Sequence, residues 1–205
     1  GQLTIDGTMA RAPVIPVLVN EEVAHAVPLG RALAAGGLSV MEITLRTPVA
    51  AECIARMAGE IEGAVVGAGT VLDAATRRAV AAMGGRFCVS PGLIECEGAE
   101  GAIPLLPGVA TATELMAGLA AGFTRFKLFP ANVVGGPAAL KAFASPFQQA
   151  KFCPTGGISA ANAVEYLALP NVICVGGSWV APPDAIRAGD WDRITALARQ
   201  ASALR

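Results

Sequence analysis

The sequence predicts an α/β protein folded as a single (β/α)8 barrel over residues 1–205, with a short N-terminal helix. Eight short runs rich in β-branched residues recur at spacings of roughly 18 to 27 residues, each followed by a turn and an alanine-rich helical pattern. No linker or low-complexity stretch interrupts them. At 205 residues the chain suits one compact core, and a doubly wound open sheet, the alternative, usually has only about five or six strands.

The strand runs are "PVIPVLV" from Pro13, "VMEITL" from Val40, "VVGAGTV" from Val65, "RFCVSP" from Arg86, "PLLPGVAT" from Pro104, "RFKLFP" from Arg125, "FCPTGG" from Phe152 and "NVICVGGS" from Asn171. Between the first two, "EEVAHAVPLGRALAAGG" has acids in its first turn and closes on two glycines, as helix dipole and C-cap preferences favour. Pro28 within it should kink the helix or mark a new start. "LIECEGAEGAIP", after the fourth strand, is short and holds two glycines, so its helix must be stunted or irregular. "TATELMAGLAAG" sets Glu114 three residues after Thr111, a capping box. "SAANAVEYLAL" offers Ser159 as an N-cap.

Composition narrows the function. Hydrophobic residues make up 54% and charged residues 15%, which excludes disorder. A net charge of −1 leaves no basic footprint for nucleic acid or an anionic membrane, and favours association into an oligomer. The five cysteines are odd in number and lack a Cys-x-x-Cys pair, which fits reduced thiols in the cytoplasm better than a disulfide framework or zinc site. A single histidine, His25, leaves little material for a metal centre or a Ser-His-Asp triad. No apolar run approaches the roughly 20 residues of a membrane helix. "GQLTIDGTMARAP" lacks the basic start and apolar centre of a signal peptide.

Alternation then places charge inside. In "VMEITLR", Met41, Ile43 and Leu45 form an apolar face toward the helices, leaving Val40, Glu42, Thr44 and Arg46 inward. In "RFKLF", Phe126 and Leu128 face the helices, and Lys127 and Phe129 the interior. Thr70 is read as inward with Val66 and Ala68. Charged residues inside a barrel call for a site near the C-terminal ends of its strands. Glycine pairs follow the seventh and eighth strands in "TGGIS" and "GGSW", where such barrels grip phosphate through backbone N–H groups aided by a following helix N-terminus.

A buried lysine has a lowered pKa and can attack a ketone, forming an iminium that accepts electrons as a C–C bond breaks. Glu42 is the candidate for moving protons, and Arg46 for holding the carboxylate of a 2-oxo acid. The parts suggest an aldolase for a phosphorylated 2-oxo acid that uses no metal.

"EITLRT" (42–47), "VGAGTV" (66–71), "VSPG" (89–92), "FKLFPA" (126–131), "FCPTGGIS" (152–159) and "VGGSW" (175–179) closely resemble the KDPG aldolase family, in order, from about Pro13 to Leu197. The resemblance implies a class I aldolase that cleaves 2-dehydro-3-deoxy-6-phosphogluconate (KDPG) to pyruvate and glyceraldehyde 3-phosphate in the Entner–Doudoroff pathway. It implies a cytoplasmic homotrimer of short (β/α)8 barrels with no cofactor beyond a covalent imine on Lys127. Glu42 would be the general acid/base, acting through a bound water, and Arg46 and Thr70 would hold the pyruvate carboxylate. Pro91 and Phe129 would line the pocket, and Thr155, Gly156, Gly157, Gly176, Gly177 and Ser178 would form the phosphate end.

The segment from Leu93 to Ala102 is a few residues shorter than the family pattern, and "NVVGG" replaces the acidic "EANGG"-like stretch of some members. Other substrates remain open: 4-hydroxy-2-oxoglutarate, which needs no phosphate grip, and the galactonate-series epimer. So do two other classes, a phosphosugar isomerase or synthase without covalent chemistry and a catalytically silent phosphate binder. Arg46 could also serve as a salt-bridge partner of Glu42, and Ser178 as an N-cap.

Overall fold

The computed structural model describes residues 3–101 and 103–205; Gly1, Gln2 and Ala102 lie outside the described residues, and with Ala102 goes the last residue of the shortened segment. Every predicted strand run contains a parallel strand: β1 Val14–Leu18, β2 Val40–Thr44, β3 Val65–Gly69, β4 Cys88–Val89, β5 Leu105–Leu106, β6 Gly108–Val109, β7 Arg125–Leu128, β8 Lys151–Pro154 and β9 Val175–Gly177. The helices are α1 Ile5–Met9, α2 Val23–Ala35, α3 Ala50–Glu60, α4 Ala74–Ala82, α5 Ala112–Ala120, α6 Gly136–Ala144, α7 Ala163–Leu167, α8 Pro183–Ala188 and α9 Trp191–Ser202.

These strands do not form the closed eight-stranded (β/α)8 barrel that the sequence predicts. They form two ladders, a six-stranded sheet in the order β5-β4-β3-β2-β1-β9 and a three-stranded sheet in the order β6-β7-β8. Pro107 makes the first break. It has no amide to donate, so the fifth run divides into β5, which pairs with β4, and β6, which pairs with β7. The second break lies between β8 and β9, where only the isolated bridges Phe152↔Val172 and Thr155↔Gly176 occur. The two bridges are offset by one residue in register, so an extra residue interrupts the pairing.

Two apolar clusters follow from strand alternation. Met41, Ile43, Val66, Ala68, Phe126 and Leu128 pack in the larger one, with helix residues such as Leu33, Ile54 and Leu115. A smaller cluster gathers Ile15, Val40, Val65, Phe87, Val89, Leu106, Cys153 and Cys174, with Met9 of α1. The expected facing of β2 and β7 therefore holds, whereas Val66 and Ala68 of β3 face the helices instead of the interior.

Thr111 caps α5 as expected, its Oγ1 accepting from Glu114 N at 3.2 Å, while the returning bond is displaced by one residue: Glu114 Oε1 accepts from Ala110 N at 2.9 Å instead of from Thr111 N. Helix α2 continues through Pro28 as one element. Ser159 does not cap α7; Asn162 stands at that position, and its Oδ1 accepts from Ser159 N at 2.8 Å. The helix after β4 is indeed stunted, to a single 3-10 turn at Gly98–Glu100.

That irregular segment is held by Arg77, whose side chain is fully buried. Its Nη1 donates to Gly98 O at 2.7 Å and its Nη2 to Ile103 O at 2.9 Å, while a Cβ at Gly101 would collide with the guanidinium. Removing the guanidinium strands two carbonyls, so Arg77→Met should cost about 2–3 kcal/mol in urea unfolding. The five cysteines are free, and among the described residues no helix is long and apolar enough to cross a membrane.

Candidate active site

Lys127 sits in the middle of β7 with only 3% of its surface exposed, and its Nζ lies 4.4 Å from the centroid of the Phe129 ring. Glu42, in the middle of β2, is equally buried, and its Oε2 has no hydrogen-bond partner among the described residues. Burial pushes the Glu42 carboxyl above the ordinary carboxylate range; the charges of Lys127 and, more weakly, Arg46 pull it part of the way back. The amine is thus the strongest charge that the carboxylate feels, although the two residues come from different ladders.

Glycines make this possible. Gly67 and Gly69 are the inward residues of β3: a Cβ at 67 would collide with the Phe87 ring, and one at 69 with the Glu42 carboxylate. Gly69→Ala should therefore displace the Glu42 carboxylate or strain β3, at a cost of about 1–3 kcal/mol in urea unfolding.

Thr70 would point toward the helices by simple alternation from Ala68. Its φ of +57°, rare for a β-branched residue, turns it instead so that its Oγ1 accepts from Arg46 Nε at 3.0 Å. Arg46 is exposed and takes this partner; among the described residues it makes no salt bridge with Glu42. Pro91 is close by: a Cβ at Gly108, the register partner of Lys127, would collide with the Pro91 carbonyl.

The glycine pairs also come together, because Thr155 bridges Gly176 in parallel fashion and a Cβ at 176 would collide with its hydroxyl. Gly156 and Gly157 have φ of +103° and +73°, which glycine adopts without strain. The expected help from helix dipoles is not delivered, since α7 starts only at Ala163 and α8 only at Pro183, and both are short. Ser178 is exposed and does not cap α8; Pro182 holds that position. It faces a cavity of about 230 Å³ that also holds His25 and Arg187.

Two residues escaped the sequence reading. Asn20 and Ser90 are buried, and Asn20 Oδ1 and Ser90 Oγ lack partners among the described residues, as Glu42 Oε2 does. Each is the polar residue that ends a strand run, after "PVLV" and "FCV", and that position was the available signal.

A parallel β/α chain that buries an amine where it governs a carboxylate is built for carbonyl chemistry, and its class is that of the carbon–carbon lyases. The sequence profile of the KDPG and KHG aldolase family matches residues 5–197, and the chain belongs to that family. It is 51% identical over 199 residues to the KHG/KDPG aldolase of Escherichia coli, covering 96% of this chain and 93% of that protein. It is also similar to the crystal structure of the Zymomonas mobilis 2-keto-3-deoxy-6-phosphogluconate aldolase, with 52% identity, a TM-score of 0.93 and coverage of 99% and 98% of the two chains. A Legionella pneumophila KDPG aldolase with pyruvate captured at low pH as a covalent carbinolamine superposes with a TM-score of 0.93 at 47% identity, covering 97% and 98% of the two chains.

Proposed function

We propose that this chain is a class I aldolase that cleaves KDPG to pyruvate and glyceraldehyde 3-phosphate, with Lys127 as the imine-forming residue. The observation that carries the reading is a buried Lys127 whose charge acts on an unpaired, buried Glu42. The Lys127 amine adds to the C2 carbonyl and, as water leaves, becomes an iminium. Glu42 takes the proton of the C4 hydroxyl, the C3–C4 bond breaks, and its electron pair moves into the iminium to give an enamine. Protonation at C3 and hydrolysis release pyruvate and free the amine. Because the electron sink is made from the protein's own lysine, the chemistry calls for no cofactor.

Arg46 and Thr70, already joined by a hydrogen bond, would hold the substrate carboxylate, with Pro91 and Phe129 lining that end. Thr155, Gly156, Gly157, Gly176, Gly177 and Ser178 would receive the phosphate. We extend the proposal to one catalytic domain over residues 1–205, working as a cytoplasmic homotrimer; the free thiols and near-zero net charge support this, and sedimentation velocity tests the assembly.

Incubation with pyruvate, borohydride reduction, digestion and mass mapping test the lysine: the expected adduct is on Lys127, and pyruvate bound without any adduct would sink covalent catalysis. Cleavage of 4-hydroxy-2-oxoglutarate as an additional activity is favoured by the Escherichia coli relative's name, KHG/KDPG aldolase. Rates on the two substrates rank them.

A further inference from the structure

The loop Thr155–Ile158 is fastened from one side only. Its Thr155 carbonyl accepts from Ala131 N at 2.8 Å, and its Gly156 carbonyl from Asn132 N at 3.1 Å. Its Gly157 carbonyl accepts from Asn132 Nδ2 at 3.0 Å and from Asn162 Nδ2 at 2.8 Å. In a trans peptide the N–H points opposite to the carbonyl of the same unit. Fixing these three carbonyls therefore turns the N–H groups of Gly156, Gly157 and Ile158 the other way, and none of them donates to a described residue.

The Asn132 side chain is itself oriented. Tyr166 is buried at 1% exposure, and its hydroxyl donates to Asn132 Oδ1 at 2.5 Å, which leaves Nδ2 facing the loop. Burial, helped by the nearby Glu165 charge, pushes the Tyr166 phenol up, so it stays a donor at neutral pH. Packing closes the arrangement: a Cβ at Gly157 would come within 2.8 Å of Asn132, and one at Gly136 within 3.1 Å of the Tyr166 hydroxyl. Asn132 is exposed and lies just past the β7 strand that carries Lys127.

We infer that Asn132 and Tyr166 are positioning residues that hold the Thr155–Ile158 loop in its anion-receiving shape and so set the preference for phosphorylated substrates. The inference rests on the phosphate end proposed above. Neither residue touches the reacting carbons; their effect is confined to the far end of the substrate.

Tyr166→Phe and Asn132→Ala test it, the second at an exposed position that folding tolerates. Three quantities are measured in the parent and both variants: KM and kcat for KDPG, the Ki of inorganic phosphate, and the rate of borohydride trapping with pyruvate, which carries no phosphate. KM and Ki should rise about tenfold in each variant, with kcat within about twofold and trapping unchanged. Unchanged KM and Ki, or a trapping rate that falls in parallel with KDPG cleavage, would overturn the inference. Parent enzyme that phosphate does not inhibit overturns the phosphate end itself, and that result is seen before any variant is made.

Discussion

Lys127→Met should lower KDPG cleavage by about 10⁴-fold or more and abolish the borohydride adduct with pyruvate. Methionine keeps the length and apolar stem of lysine, so Phe129 and the neighbouring strands retain their packing. What disappears is the only group in the proposed mechanism that can make the covalent electron sink. The substitution also takes from buried Glu42 the main opposite charge that offsets its burial, so the variant should melt somewhat lower than the parent near pH 7 while remaining folded at assay temperature. A folded variant with no activity separates chemistry from structure. Substantial residual turnover would instead favour a non-covalent isomerase or synthase, whose product keeps an intact carbon skeleton.

Glu42→Gln should cut turnover about 10²–10⁴-fold by slowing proton transfer, with imine formation affected much less. Rapid-quench measurement of each step distinguishes the two, and normal turnover would remove Glu42 from the mechanism. The same variant carries a stability signature. Burial raises the folded-state pKa of Glu42 above its unfolded value, so the folded chain binds this proton more tightly. The associated stability is complete below the ordinary carboxylate pKa and is lost as pH rises through the folded value. Glutamine has no such dependence. E42Q should therefore melt higher than the parent near pH 7, and the gap should close toward about pH 4.

Much of this was legible in the chain. The order and class of the elements followed from the repeated strand and helix signals, and the facing of β2 and β7 followed from Met41, Ile43, Phe126 and Leu128. The facing of β3 did not. Val66 and Ala68 looked like an inward apolar row because the true inward residues, Gly67 and Gly69, have no side chains to declare themselves. Their role appears only when Phe87 and Glu42 are seen above them. Thr70 comes beside Arg46, the side expected of it, through a backbone turn that overrides alternation, whereas Val66 and Ala68, the residues it was grouped with, face the helices. The run around Pro107 reads as one strand in the sequence, but a residue without an amide falls at its centre, and β5 pairs with β4 while β6 pairs with β7. Ser159 was a reasonable cap by residue type, but Asn162 sits at the helix start and takes the Ser159 amide for its own side chain.

The division of the strands into two ladders has a mechanical consequence. Glu42 stands on the six-stranded sheet and Lys127 on the three-stranded one. On one side the ladders are joined by the chain itself, running from β5 through Pro107 to β6, and on the other only two isolated bridges link β8 to the run that holds β9. The two halves of the proposed chemistry are thus mounted on separate plates, one edge shared through a single chain segment and the other joined by two bridges. A substrate covalently attached to one plate and hydrogen-bonded to the other would act as the rivet between them.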